Sequence, residues 1–594
     1  MTESAAVLME DGRVVAAAEE ERFSRIKHDG GLPYRAIEFV LGTRGLTLAD
    51  IDHVAVYWNP FQLGHRAKLL IKTLLLDPRF FVRMAQRAVT VFTDARGEDS
   101  GWMSLFQAKG NLTKRFGATP KNVHFLDHHS CHMASCFYAS SFQDSAILIM
   151  DGAGEAACTT WAVGRGSSME KIDEHLLPHS LGHYYSSVTG YLGFKMLDGE
   201  YKMMGLSPYG DPSGSKWIRE NFLVSSPGGR YRLNTSALNY ILALKGDFQG
   251  SFTRHFGPPR ELSETVEFND RHRDIAASAQ QAFEDVVLGM SKELRQRTGM
   301  SRLSIAGGCG LNCKANGKIL SEGIFEEIYV PPVPHDAGGA LGAAMLLYQR
   351  LTGKRPEPLT HAQYGPEFQD SDIAQASSGY SGFTVEKMET DALIARTAKL
   401  LSEGGVVAWF QGKMEYGPRA LGNRSFLADP RSDSIRDVIN EKIKKRELFR
   451  PFAPSVKEEK ASEYFEIQQQ APFMTIAVAV RREKRDMIPA VTHVDNTARP
   501  QTVNSSSNPK YWKLLDHFEK LTGVPVLLNT SFNIQEPVVC TPREAIKTFS
   551  SCGVDALVIE NYWVSRKSSK RLNDVDRDAA GRKLAKVERP VGIS

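Results

Sequence analysis

The sequence predicts an α/β fold in two large domains, and three observations predict it. The chain has 594 residues, more than one hydrophobic core serves. Apolar strands run into glycine turns at three places, twice as a hairpin and once as strand into helix. From 351 to 368 the chain is rich in proline, glycine and charge and reads as a linker. The expected division is a first domain over 1–350, that linker, a second domain over 369–565, and a polar, aperiodic tail over 566–594 read as disordered.

The first unit is Ser4–Leu8 and Val14–Ala18 around Glu10-Asp11-Gly12, a hairpin with a D-G turn. Glu19-Glu20-Glu21-Arg22 follows. So dense a charge reads as solvated surface, although a run leaving a sheet edge also suits a pocket wall. Leu46–Trp58 reads as a loop entering a buried strand, Val54–Tyr57. Residues 60–115 are helical in composition, basic and free of motifs, and read as an insertion.

Val123–Met133 reads VHFLDHHSCHM, the end of a buried strand and then a helix that Asp127 can cap. A helix starting there places His128 and His132 four apart on one face, a ready pair of metal ligands that still needs a carboxylate. The alternative is a buried histidine pair satisfied by backbone carbonyls. His335-Asp336, ahead of Ala337-Gly338-Gly339-Ala340-Leu341-Gly342, offers a carboxylate suited to a third ligand and favours the metal. His129 points elsewhere and reads as structural.

The second hairpin unit is Ala146–Met150, then Asp151-Gly152-Ala153-Gly154-Glu155, then Thr159–Val163. Its glycines let backbone amides approach a phosphate while the carboxylate faces a metal or water; a plain hairpin reads equally well. Lys202, read as a loop residue before Pro208-Tyr209-Gly210, is a candidate charge for a phosphate or an ordinary surface lysine. The third unit is Leu303–Ala306 followed by Gly307-Gly308 and a helix carrying Asn312 and Asn316, a setting for a nucleotide at a helix N-terminus. It is not the dinucleotide pattern. Three such units suggest, by analogy of fold, the duplicated actin-like ATPase architecture, which alone fixes no chemistry.

In the second domain Ala392–Leu401 reads as helix and Val406–Phe410 as a strand entering Gly417-Pro418-Arg419-Ala420-Leu421-Gly422-Asn423-Arg424-Ser425. Lys444 to Pro454 interleaves cations with Phe449 and Phe452, stiffened by Pro451 and Pro454, and so points inward. Its arginine forks and lysines suit phosphate oxygens. Asn529-Thr530-Ser531-Phe532-Asn533, after the strand Val524–Leu528, supplies hydroxyls and amides suited to an anion, or a capped turn.

The totals exclude some classes. A net charge of +4 makes no case for nucleic acid. Seven scattered cysteines argue for a reducing compartment, with Cys309 and Cys313 as packed thiols. No apolar run of about 18 residues exists to span a membrane. The acidic start lacks a signal-peptide pattern, and a cytoplasmic enzyme is expected.

Taken in order, His-x3-His, D-G-x-G-E, H-D-x-G-G-A-L-G, G-P-R-A-L-G-N-R-S, K-x-R-E-x-F-R-P-F-A-P and N-T-S-F-N resemble the ATP-dependent O-carbamoyltransferases of nodulation factors and antibiotics, over about 4–565. The resemblance implies an N-terminal domain similar to the tRNA threonylcarbamoyl-transferase and an α+β C-terminal domain similar to threonylcarbamoyl-adenylate synthase. It implies that His128, His132 and Asp336 hold Fe2+ or a similar divalent ion. It implies that Arg419, Lys444, Arg450 and Ser531 hold carbamoyl phosphate, with Asn533 in the same block. Gly307, Gly308 and Asn312 would border ATP, taken with Mg2+, beside Asp151, Gly152, Gly154 and Lys202. The expected partners are carbamoyl phosphate, ATP and a hydroxyl-bearing small-molecule acceptor, with no nucleic acid, no membrane, and a homodimer left open.

The resemblance departs at two places. Family members usually carry a further strand and a His-Asp pair before the run seen here as Ser4-Ala5-Ala6, and commonly a glycine where this chain has Asn496. Two rivals remain. A tRNA threonylcarbamoyl transferase needs a basic surface that the charge does not offer. An inactive nucleotide-binding homologue would keep the fold without the chemistry, and the first departure is its support.

Overall fold

In the computed structural model, residues 3–62, 64–65, 67–68, 99, 102–234, 250–261, 267–378, 380 and 382–567 are described. Most of the expected insertion and nearly all of the expected tail lie outside them. The chain forms two compact units of mixed α/β structure. One takes 1–360 with the short segments 416–418 and 475–477; the other takes the rest.

In the first unit, β1 (Ala5–Glu10) and β2 (Arg13–Glu19) form the D-G hairpin, and β3 (His53–Val56) pairs in parallel with β4 (Asn122–Phe125). A five-stranded sheet follows, built from β5 (Asp144–Met150), β6 (Ala157–Arg165), β7 (Ser168–Leu176), β10 (Arg302–Ala306) and β11 (Glu327–Tyr329). Its order is β11-β10-β5-β6-β7; β8 (Leu223–Ser226) and β9 (Arg230–Leu233) make a separate ribbon. The strand β5 is apolar and buried from Ser145 onward, as a central strand must be. It is antiparallel to β6 and parallel to β10, so β5 and β10 end side by side, bringing Asp151 next to Gly307-Gly308. Open α/β sheets place ligands at such ends.

Two helices face each other over this ground, His128–Phe137 and Ala337–Thr352. The small-residue run lets them approach: a Cβ at Gly342 would overlap the Cys131 carbonyl, and one at Gly339 the Tyr57 ring. Glu19, Glu20 and Arg22 are buried, which corrects the solvated reading of that run. Arg22 is paired with Glu19 and with Glu21, and Glu20 instead accepts the backbone N–H groups of Ala36 at 2.8 Å and Arg35 at 3.3 Å. Lys202 lies in the helix Glu200–Leu206, not in a loop.

The second unit carries an eight-stranded sheet of order β12-β21-β20-β13-β14-β19-β15-β18. Its strands are β12 (Phe383–Lys387), β13 (Val407–Phe410), β14 (Arg424–Ala428), β15 (Ala453–Lys457), β18 (Gln501–Val503), β19 (Val526–Ser531), β20 (Ala556–Ile559) and β21 (Tyr562–Arg566). A short pair, β16 (Val478–Ala479) with β17 (Thr497–Ala498), stands apart. The helices Thr390–Ser402 and Pro509–Thr522 pack together. Asn529, Thr530 and Ser531 belong to β19 itself, so the strand runs three residues beyond the expected end at Leu528. Asn496 has φ +61, a left-handed backbone that asparagine tolerates better than most residues, which accounts for its standing where glycine is expected.

Candidate functional site

The helix His128–Phe137 begins as its sequence requires. Asp127 is extended and its Oδ1 accepts the Ser130 N–H at 2.8 Å, a side-chain N-cap. Glu155, from the D-G-x-G-E turn, accepts the N–H groups of His128 at 3.1 Å and Asn59 at 2.7 Å. His128 and His132 then project one turn apart, both fully buried. Their Nε2 atoms lie 3.1 Å from each other. Asp151 Oδ2 lies 3.3 Å from His128 Nε2, and Asp336 Oδ1 lies 3.6 Å from it. One ligand atom from each of the four residues falls within 4.8 Å of the others.

The surroundings prepare His128 to ligate. Its Nδ1–H donates to the Tyr57 carbonyl at 3.1 Å, which turns Nε2 toward the cluster. The Trp58 ring packs edge-on at 4.4 Å. Burial alone would lower the His128 pKa, but the carboxylates of Asp151 and Asp336 outweigh it and raise the pKa to about 10. Burial and the neighbouring His128 charge lower His132 to about 4. Asp336 and Asp151 are held below the usual carboxylate range by the imidazoles, against their burial. Two imidazole nitrogens and two carboxylates gathered this closely are a donor set that could hold a metal ion.

Asp151 joins this cluster to the glycine turn, because its other oxygen accepts the Gly308 N–H at 2.9 Å. Gly307, at φ +88, admits no side chain: a Cβ would overlap the Met150 carbonyl. Asn312 caps the helix Cys313–Ser321 through the Ala315 N–H at 3.1 Å and exchanges bonds with Gln280. The Gly152 carbonyl accepts the Ser180 hydroxyl at 2.6 Å, and a Cβ at Gly154 would press on the His129 ring. His129 bonds Thr160 Oγ1 at 2.7 Å, away from the cluster. Lys202 Nζ stands 5.8 Å from the Phe194 ring centroid.

In the second unit a π-helical turn, Ile439–Ile443, delivers Lys444 into the interior. Its Nζ donates to Asn533 Oδ1 at 2.7 Å, to the Asn533 carbonyl at 2.8 Å, to Ser531 Oγ at 3.2 Å and to the Ser531 carbonyl. Arg450 is paired with Glu447 at 3.5 Å, and Arg419 stands half-buried in its loop. Arg446 lies over the Phe452 ring at 4.7 Å. The Arg424 guanidinium is fully buried. It donates to the carbonyls of Gln411, Asn423, Pro366 and Gly412 and stacks 3.5 Å from the Phe410 centroid, so it stakes the loop rather than facing a ligand.

Sequence reasoning placed Asp151 beside a phosphate or metal but not among the metal ligands, and missed Tyr57 and Glu155. The glutamate closing D-G-x-G-E was the available signal for Glu155; a backbone carbonyl such as that of Tyr57 leaves none.

The sequence matches the carbamoyltransferase N-terminus family over residues 1–345 and the carbamoyltransferase C-terminus family over 398–566. An uncharacterised protein of Synechocystis sp. is 40% identical, over 95% of each chain. Nodulation protein NolNO of Sinorhizobium fredii is 39% identical, over 96% of this chain and 80% of that protein. Full-length HypF, solved in a phosphate- and nucleotide-bound form, is 15% identical over 43% of this chain and 51% of its own. Its TM-score is 0.25, too slight a likeness to argue from.

Proposed function

The chain belongs to the carbamoyltransferase family and is a transferase, and from that premise we propose that it carbamoylates a hydroxyl group at the expense of ATP, in two stages. In the first stage Lys444, Ser531 and Asn533, with Arg419 and Arg450, hold carbamoyl phosphate. Water releases phosphate from it, leaving carbamate. A carbamate oxygen attacks the α-phosphorus of ATP, bound with Mg2+, and pyrophosphate departs, giving carbamoyl-adenylate. Lys444 supports this reading as a buried cation whose Nζ donates to Ser531 Oγ at 3.2 Å and to Asn533 Oδ1 at 2.7 Å, in the block suited to an anion.

In the second stage the acceptor hydroxyl attacks the carbamoyl carbon, the bond to AMP breaks, and the hydroxyl proton is released. Gly307, Gly308 and Asn312, with Asp151, Gly152, Gly154 and Lys202, border the nucleotide part. His128, His132, Asp151 and Asp336 would hold a divalent ion such as Fe2+, which supplies Lewis acidity to the reacting carbonyl and phosphate. The single observation that carries the reading is Asp151, which has one oxygen toward the histidines and the other on the Gly308 amide. It ties the candidate cation site to the glycine turn after β10.

The acceptor is proposed to be a small-molecule natural product or nodulation factor. The test is pyrophosphate release from ATP that requires carbamoyl phosphate, with a mass gain of about 43 Da on an acceptor. Release without carbamoyl phosphate, or none with it, refutes the reading.

A further inference from the structure

A second run of ionisable groups, three of them half-buried and His335 buried, lies beside the metal cluster, and the proposed reaction leaves it without a role. His28 is bonded through both ring nitrogens, Nδ1 to Glu3 Oε1 at 2.7 Å and Nε2 to Asp198 Oδ1 at 3.0 Å. The other oxygen of Glu3 lies 3.0 Å from His335 Nε2. Burial would lower the His28 pKa, but the bonds from Asp198 and Glu3 raise it to about 10, so both nitrogens donate at neutral pH. The bridge also spans two left-handed residues, His28 at φ +54 and Leu197 at φ +64. A branched side chain rarely takes that conformation unless its surroundings impose it.

Two paths leave Glu3. Through its side chain it reaches His335, whose carbonyl accepts the Gly338 N–H at 2.8 Å and so opens the helix that starts at Asp336. Through its main chain it reaches Tyr57: the Tyr57 hydroxyl donates to the Glu3 carbonyl at 2.8 Å, and the Tyr57 carbonyl receives His128 Nδ1–H. One residue therefore braces ligands carried by two different helices.

From this geometry we infer that Glu3 and His28 are positioning residues for the metal site, an outer brace that fixes where His128 and Asp336 stand without touching the ion. Partners of this kind hold ligands in orientation, and their loss weakens metal binding by about 10–100-fold. The inference rests on the metal reading proposed above.

The test titrates Co2+ into metal-stripped, full-length protein carrying Glu3→Gln, His28→Gln or both. Each single variant is expected to raise the Co2+ dissociation constant about 10–100-fold. The double variant should be no weaker than the weaker single, because the two act through one chain of bonds. Carbamoyl-phosphate-dependent pyrophosphate release should stay at the wild-type rate, which a general loss of structure would not allow. Should Glu3→Gln lose its cooperative unfolding transition, His28→Gln decides. Dissociation constants within twofold of wild type, or losses that multiply, overturn the inference while the metal reading stands. Wild-type protein without Co2+ affinity overturns both.

Discussion

The two units gather charge in opposite ways. In the first, two imidazoles and two carboxylates from separate elements turn their lone pairs on one point, and one histidine must carry a proton to quiet them. In the second, the buried Lys444 ammonium donates to hydroxyl, amide and carbonyl oxygens of Ser531 and Asn533. The difference teaches what each site suits. The first is short of a cation, because four donors face inward. In the proposed reaction the second serves an anion, through the Lys444 ammonium that Ser531 and Asn533 hold in place. An enzyme that builds a labile anhydride in one place and consumes it in another needs both kinds.

The comparison breaks most sharply at His132. His132→Ala should lower acceptor carbamoylation by about 10²–10³-fold, with pyrophosphate release unchanged; steady-state assays of both stages check it. Lys444→Met should do the reverse. Pyrophosphate release is expected to fall about 100-fold while Co2+ binding holds, because the lost group belongs to the other unit. A third change sharpens the link between cluster and turn. Gly307→Ala should cost about 1–3 kcal/mol of stability, read by chemical denaturation, since it forces a side chain onto the Met150 carbonyl.

The smallest effect tests the helix start that aims the histidines. Asp127 is lowered to about 2: Lys171 and Ser130 outweigh its burial. Its folded pKa thus lies below the ordinary value of about 3.9, so its stabilisation is complete above that value and lost as pH falls through about 2. Asp127→Asn keeps a capping side chain, so the cost at neutral pH should stay near 1 kcal/mol. The slope of stability against pH between about 4 and 2 should flatten.

Much of the first site was legible because it is local. His128 and His132 are one helical turn apart behind a capping aspartate, and Asp336 opens a small-residue helix, both readable in a few letters. Asp151 was harder, because its place beside Gly308 depends on β5 pairing in parallel with β10 across a long stretch of chain. The brace from His28 through Glu3 to His335 left no signal, since no spacing announces contacts between distant segments. Glu19 to Arg22 misled because four charged letters look solvated, whereas Arg22 pairs with Glu19 and Glu21 and backbone amides satisfy the buried Glu20. In the second unit the block around Lys444 reads as inward-pointing from its aromatic and proline neighbours; Lys444 and Phe452 are buried, whereas Lys445, Leu448 and Pro451 are exposed. The pairing of Arg450 with Glu447 could not be seen, because a pattern of cations does not say which carboxylate each will meet.

One measurement goes straight to the claim that the chain carries a cation site and a separate anion site: Co2+ stoichiometry by equilibrium titration of intact wild type, His132→Ala and Lys444→Met. The account predicts one ion per chain in wild type, the same in Lys444→Met, and loss in His132→Ala. An ion retained undiminished by His132→Ala, or lost from Lys444→Met, contradicts it.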